Sequence, residues 1–179
     1  RTTTAELSQD ARDLVARLDA SGDSARRADL LSRLARDGAT RTMTMLMEVS
    51  FRAARQGDRL EAVRALASEA PREMGGRFLY QVARANPWPT VRAEAIQQLR
   101  RVRPERVVPW LVNLAYHDEE RVVQRRAVGA LARLGPGEAD ASLMQIARSH
   151  PDAEVRIAAI YWLVRTGSSG TLAKYVQTA

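Results

Sequence analysis

Apolar residues recur along this chain at i, i+3 and i+4, the spacing of one face of an α-helix, and the faces themselves recur every 32 residues. Val91, Ala95 and Leu99 return as Val123, Ala127 and Leu131, and again as Val155, Ala159 and Leu163. A second set, Leu79, Val82 and Ala83, returns as Leu111, Leu114 and Ala115 and as Leu143, Ile146 and Ala147. Each repeat therefore holds two amphipathic helices. One such pair cannot bury both stripes alone, but stacked copies bury them against each other, which predicts an all-α α-solenoid. Carried backwards, the period places Ala95 on Val63 and Leu31, and Leu99 on Ala67 and Ala35. About five helix pairs then follow an N-terminal capping helix.

Polar and helix-breaking residues punctuate this pattern. The capping helix is predicted from about Thr4 to Ala20, with Leu7, Ala11, Leu14, Val15 and Leu18 on one face, inside a cap segment 1–22. The repeats fill 23–179, and 1–179 reads as a single domain. Helices are predicted over Ser24 to Arg36, Thr40 to Arg55 and Arg59 to Glu69, the last opened by Asp58 and Glu61 at capping-box spacing. Gly75-Gly76 sits inside the next helix, and each glycine there costs about 1 kcal/mol relative to alanine, so that helix is expected to start late or to be distorted. Thr90 to Val102 follows, then Arg106 to Tyr116 with Pro109 placed in its first turn, where no N–H bond is lost. The rest are helices ending at Leu134, Glu138 to Ser149, Asp152 to Arg165 and about Ser169 to Gln177, where Leu172 and Val176 fit the earlier stripe only after a three-residue slip.

Charge changes the picture in one place. The net charge is +7, and all but one of the 28 basic residues are arginine, Lys174 being the exception. Residues 41–109 hold thirteen arginines against seven acids, whereas the flanking segments are nearly balanced. Electrostatic steering is expected to come from that middle segment. The absence of cysteine excludes disulfides, thiolate chemistry and cysteine-based zinc sites. No run reaches the length of a bilayer span, so no membrane insertion is expected. Cytoplasmic placement is favoured, with an exported mature form as the other option because residue 1 is arginine.

Val91-Arg92 with Ala95 and Leu99, the run Glu105-Arg106-Val107-Val108-Pro109-Trp110-Leu111-Val112-Asn113-Leu114, and Asp152-Ala153-Glu154-Val155-Arg156 with Ala159, Leu163 and Gly167 resemble HEAT repeats. The resemblance is to the short bacterial type related to phycobilin-lyase repeats. Gln124 stands where that pattern has arginine, and Trp88 where it tends to have aspartate. The resemblance implies a right-handed α-solenoid, a curved stack with the second helix of each pair on its concave side. It implies a binding scaffold, with DNA glycosylases and bilin-handling proteins as minority roles. It also implies that Arg92 and Arg156 bond between neighbouring repeats.

Outside the apolar stripe, the second helices present two columns at 32-residue spacing: Gln81, Asn113 and Gln145, then Arg84, Tyr116 and Arg148, with Arg52 added by extending the second column back. Amides suit the backbone groups of an extended peptide and arginines its carboxylates, so the partner is expected to be a protein or peptide of acidic character, with Phe78, Trp110, Met45 and Met144 adding apolar contacts. The bland reading of the columns is an ordinary solvated face. Arg100, Arg101, Arg103 and Arg106 cluster at an inter-helix turn and form a candidate polyanion or nucleic-acid site, beside Trp88 and Trp110 as base-stacking groups. An arginine-rich helix end equally complements its own dipole. His117 and His150 with Asp118 and Asp152 are better explained as caps than as metal ligands. No catalytic residue, cofactor or metal site is expected. The function expected is a non-enzymatic protein-interaction scaffold, with a nucleic-acid-binding, glycosylase-like HEAT protein as the alternative.

Overall fold

The computed structural model describes residues 4–37, 39–135 and 137–167. Among them lie ten helices and no strand: α1 (Thr4–Ala20), α2 (Ser24–Arg36), α3 (Thr40–Arg52), α4 (Gln56–Ser68), α5 (Arg72–Ala85), α6 (Pro89–Val102), α7 (Val107–His117), α8 (Arg121–Ala132), α9 (Asp140–Ser149) and α10 (Ala153–Arg165). The architecture is all-α, with helices stacked in pairs as in a HEAT-like solenoid. The chain divides between Pro104 and Glu105 into two compact units, the first carrying α1–α6 and the second α7–α10. Four pairs follow α1 and α10 opens a fifth. The second helix expected there, Ser169 to Gln177 with Leu172 and Val176, lies outside the described residues, as does the side chain of Leu7 in α1.

In the first unit α1, α3 and α5 form one layer and α2, α4 and α6 the other, with α3 packed along α4 and α5 along α6. The layers meet on leucines with no exposed surface, among them Leu31, Leu46, Leu66, Leu79 and Leu99. Complete burial of each such side chain contributes about 1.5–3 kcal/mol. Val63, Leu31 and Ala35 are buried as the 32-residue period predicts, but Ala67 is only half-buried, and Leu66 is buried in its place. The step from the third and fourth helices to the fifth and sixth is 33 residues, as from Leu66 to Leu99 and from Leu46 to Leu79, because Leu66 and Leu79 are separated by one residue more than Leu99 and Leu111.

Two further expectations are corrected here. The α5 helix starts directly after Pro71 and runs regularly through Gly75 and Gly76. The glycines serve close packing: a Cβ on Gly75 would lie 2.7 Å from the Leu66 carbonyl oxygen, and one on Gly76 would lie 2.7 Å from the Pro104 ring. Asp58 does not cap a helix starting at Arg59, since α4 begins at Gln56 and places Asp58 within its first turn. Its carboxylate is buried and accepts a 2.8 Å bond from Arg27 Nε across the layer.

The second unit repeats the scheme. The α7 helix packs along α8 and α9 along α10, while α8 also lies against α10. Val123, Ala127 and Leu131 of α8 and Val155, Ala159 and Leu163 of α10 are fully buried, and Pro109 falls in the first turn of α7 as expected.

A recurring clasp ties consecutive helices. The fourth residue of each even-numbered helix reaches back six residues to a carbonyl at the end of the preceding helix. Arg27 Nη1 donates to the Ser21 carbonyl at 2.7 Å, Arg59 Nη1 to Ala53 at 2.8 Å and Arg92 Nη1 to Asn86 at 2.9 Å. Gln124 Nε2 donates to Asp118 and Arg156 Nη1 to His150, each at 2.7 Å. Carbonyls at a helix C-terminus have no partner inside their own helix, and the clasp supplies one. Arg92 and Arg156 thus join one helix pair to the next, and Gln124 makes the same bond with an amide in place of a guanidinium.

Candidate interaction surface

The second helices of the predicted pairs are α3, α5, α7 and α9, and the two units carry the predicted columns separately. In the first unit Gln81 and Arg84 are exposed on α5, and neither side chain has a hydrogen-bond or ion partner among the described residues. Arg52 ends α3, where its Nε bonds the Glu48 carboxylate one turn back. By the 33-residue step it aligns with Ala85 rather than Arg84, so it stands one residue off the column.

In the second unit, Asn113 and Tyr116 lie on α7 and Gln145 and Arg148 on α9. The Tyr116 ring stacks at 4.9 Å from the His150 ring, and its hydroxyl lies 3.2 Å from Ser149 Oγ on α9. His150 is buried, with Nε2 2.9 Å from the Ala115 carbonyl and Nδ1 accepting from the Asp152 N–H at 3.1 Å. A carbonyl only accepts, so Nε2 carries the proton. His150 ends α9 and His117 ends α7, so neither opens a helix as a cap. Asp152 does: its carboxylate accepts the N–H groups of Glu154 and Val155 at the start of α10. Partial desolvation pushes the Asp152 pKa up, but those two N–H donors and the Arg121 guanidinium outweigh it and hold the pKa below the ordinary value.

Between α7 and α9 lies a groove of about 440 Å³. Val108, Pro109 and Val112 give it an apolar side, and Asn113, Tyr116, His117 and Ser142 a polar one. Gln145 and Arg148 are exposed on α9. Trp110 and Met144, expected to offer apolar contacts, are buried in the unit's interior instead. Each adjoins a spine leucine in sequence, Trp110 before Leu111 and Met144 after Leu143, and the packed helix layers cover it. Phe78 and Met45 are half-buried.

The arginine run is divided between the two units. Arg100 is half-buried on α6, with a buried Nε that lacks a hydrogen-bond partner. Arg101 is exposed, and Arg103 caps α6 in the left-handed region at φ 50°, its carbonyl bonded by Arg72 Nε at 2.7 Å. Arg106 belongs to the other unit, at the start of α7. Much of the surplus charge of residues 41–109 is engaged internally. Arg64 bonds Glu94 at 3.1 Å, which, with Glu61 and against desolvation, raises its pKa. The Arg59 guanidinium lies 4.4 Å over one face of Trp88, leaving only the other face for stacking.

A second groove went unread in the sequence. It lies in the other layer of the second unit, between α8 and α10, with Val122, Ile157 and Tyr161 exposed along it. Its signal was present in α10, which is apolar well beyond its buried stripe.

The stacked helix pairs define an α-helical repeat protein. Residues 76–164 match the family model for HEAT repeats, so over that stretch the chain is similar to HEAT-repeat proteins. The clasps of Arg27 and Arg59 carry the same construction N-terminal to the matched residues. Comparison with curated proteins returns no match. No helix of the described residues is long and apolar enough to cross a membrane.

Proposed function

We propose that this chain is a non-enzymatic protein-interaction module of the short bacterial HEAT type, acting as a single repeat domain, and that its partner docks on the layer of second helices. The observation that carries the reading is the groove between α7 and α9, where Asn113 and Tyr116 line an apolar trough, with Gln145 and Arg148 exposed on α9. An extended acidic segment fits these groups: amides pair with its backbone, the trough takes an apolar side chain and arginine takes a carboxylate. In the first unit, Gln81 and Arg84 on α5 offer the same two chemistries, with Arg52 at the end of α3.

The test is affinity capture from the native host with the tagged chain, read by mass spectrometry, against Arg84→Glu combined with Arg148→Glu. The parent is expected to enrich a defined protein that the variant loses at unchanged helicity. Equal enrichment by both overturns the proposal. Tight, steeply salt-dependent binding of random DNA does so too, because it reports phosphate neutralisation at arginines such as Arg100, Arg101, Arg103 and Arg106.

A further inference from the structure

We propose a second binding site, in the opposite layer of the second unit: the groove between α8 and α10 docks a protein segment that presents a phenylalanine or leucine flanked by carboxylates. The groove holds about 720 Å³, within the range of roughly 300–1,000 Å³ typical of ligand sites. Its apolar groups face solvent, with Val122 62%, Ile157 64% and Tyr161 52% exposed, although Val123, Val155 and Ala159 on the same helices are fully buried. Clustered exposure of this kind marks an interaction site.

The groove is also preformed. Gly129 of α8 lacks a side chain where Trp162 of α10 lies against it; a Cβ there would stand 3.3 Å from the indole Nε1. Arg133 covers the Trp162 ring at 4.6 Å, and Tyr161 meets Trp162 edge-on at 5.4 Å with its hydroxyl bonded by Arg165. An aromatic pair fixed this way is not ordered afresh on binding, which lowers the entropic cost of association.

Charge selects the occupant. Arg125, Arg126 and Arg133 line the groove against the single carboxylate of Glu154, which already pairs with Arg121 at 3.0 Å and with Arg125 at 3.6 Å. Arg126 has no ion pair or hydrogen bond among the described residues. The surplus is cationic around an apolar floor, so the complementary ligand is an apolar side chain between carboxylates. A concave groove receives a projecting side chain, which neither a bilayer surface nor a phosphate backbone presents.

The test uses the full chain and the indole N–H resonance of Trp162, assigned with Trp162→Phe. The probe is a capped pentapeptide with one phenylalanine between two pairs of aspartates. This peptide is expected to shift the Trp162 signal saturably, while versions with alanine for phenylalanine or lysine for aspartate do not. Arg126→Glu with Arg133→Glu is expected to weaken binding more than about tenfold, since it sets like charges against the ligand. Arg148→Glu, in the other layer, is expected to leave it unchanged, so failure of the function proposed above does not touch this result. If the double variant misfolds, Ile157→Ser provides the same reading. The proposal is overturned if Trp162 does not respond, if the lysine peptide binds equally, or if anionic vesicles or an oligothymidine bind there more tightly. A Trp162 shift on simple dilution, meaning that a second copy fills the groove, also overturns it.

Discussion

Replacing Arg92 tests whether the clasp is a hydrogen bond to a helix end or a matter of filled volume. Arg92 is 3% exposed, and its Nη1 donates to the carbonyl of Asn86, itself buried, at 2.9 Å. In Arg92→Leu the apolar volume is retained but that carbonyl loses this donor, and an unsatisfied buried acceptor costs about 1–3 kcal/mol. For a chain of this size each kcal/mol moves the melting temperature by about 2–4 °C. In Arg92→Gln the bond is retained, because Gln124 makes it in the second unit with an amide at 2.7 Å. The loss is then expected to stay below about 1 kcal/mol. Urea denaturation followed by far-ultraviolet circular dichroism supplies the midpoints, with amide exchange at Asn86 to Arg92 locating the change. If the leucine variant is as stable as the parent, or the glutamine variant as unstable as the leucine one, the hydrogen bond is not what holds the junction.

Three further outcomes are expected. Asp58→Ala leaves the Arg27 guanidinium buried without its 2.8 Å partner and lowers unfolding free energy by about 3 kcal/mol in calorimetry, whereas Arg27→Met with Asp58→Leu recovers most of it. Gly76→Ala is destabilising although alanine favours a helix by about 1 kcal/mol, because its Cβ would meet Pro104 at 2.7 Å and such overpacking costs about 1–3 kcal/mol; Gly57→Ala, with nothing within 4 Å, raises the melting temperature. Asp152→Asn melts below the parent at pH 7. A carboxylate held below its ordinary 3.8 stabilises the fold above that value and loses the effect as pH falls through its lower folded value, so the two melting curves converge below about pH 3.8. A gap that does not narrow as the pH falls below 3.8 refutes this assignment.

The spine was legible because burial imposes a helical period that composition cannot imitate. Val91, Ala95, Leu99 and their counterparts are buried as their spacing predicts. The slip at Leu66 was hidden because Val63 is buried and Ala67, a small residue, also fits an apolar pattern. Gly75 and Gly76 were misread because propensity weighs only the helix that contains them, not the Leu66 carbonyl and Pro104 that press on it. The columns from Gln81 to Arg148 were found by subtracting the spine from the repeat. The same subtraction passed over Val122, Ile157 and Tyr161, since no earlier repeat carries comparable side chains at those positions and a feature confined to one junction leaves no echo. Trp110 and Met144 show the converse: bulky side chains beside the stripe look available until neighbouring helices close over them.

The clasps bear on how the chain acquires its structure. Each one links residues only six apart, so it forms without waiting for distant segments to meet and bears almost none of the loop-closure entropy that slows folds built on remote pairings. Five such junctions recur among the described residues, each joining two helices of 10–17 residues. Helices of that length are marginal alone in water, and a junction that fixes the angle between two of them supplies the first contact each needs. Folding can therefore begin at any of several turns and spread outward, and a substitution at one clasp slows the growth of structure locally.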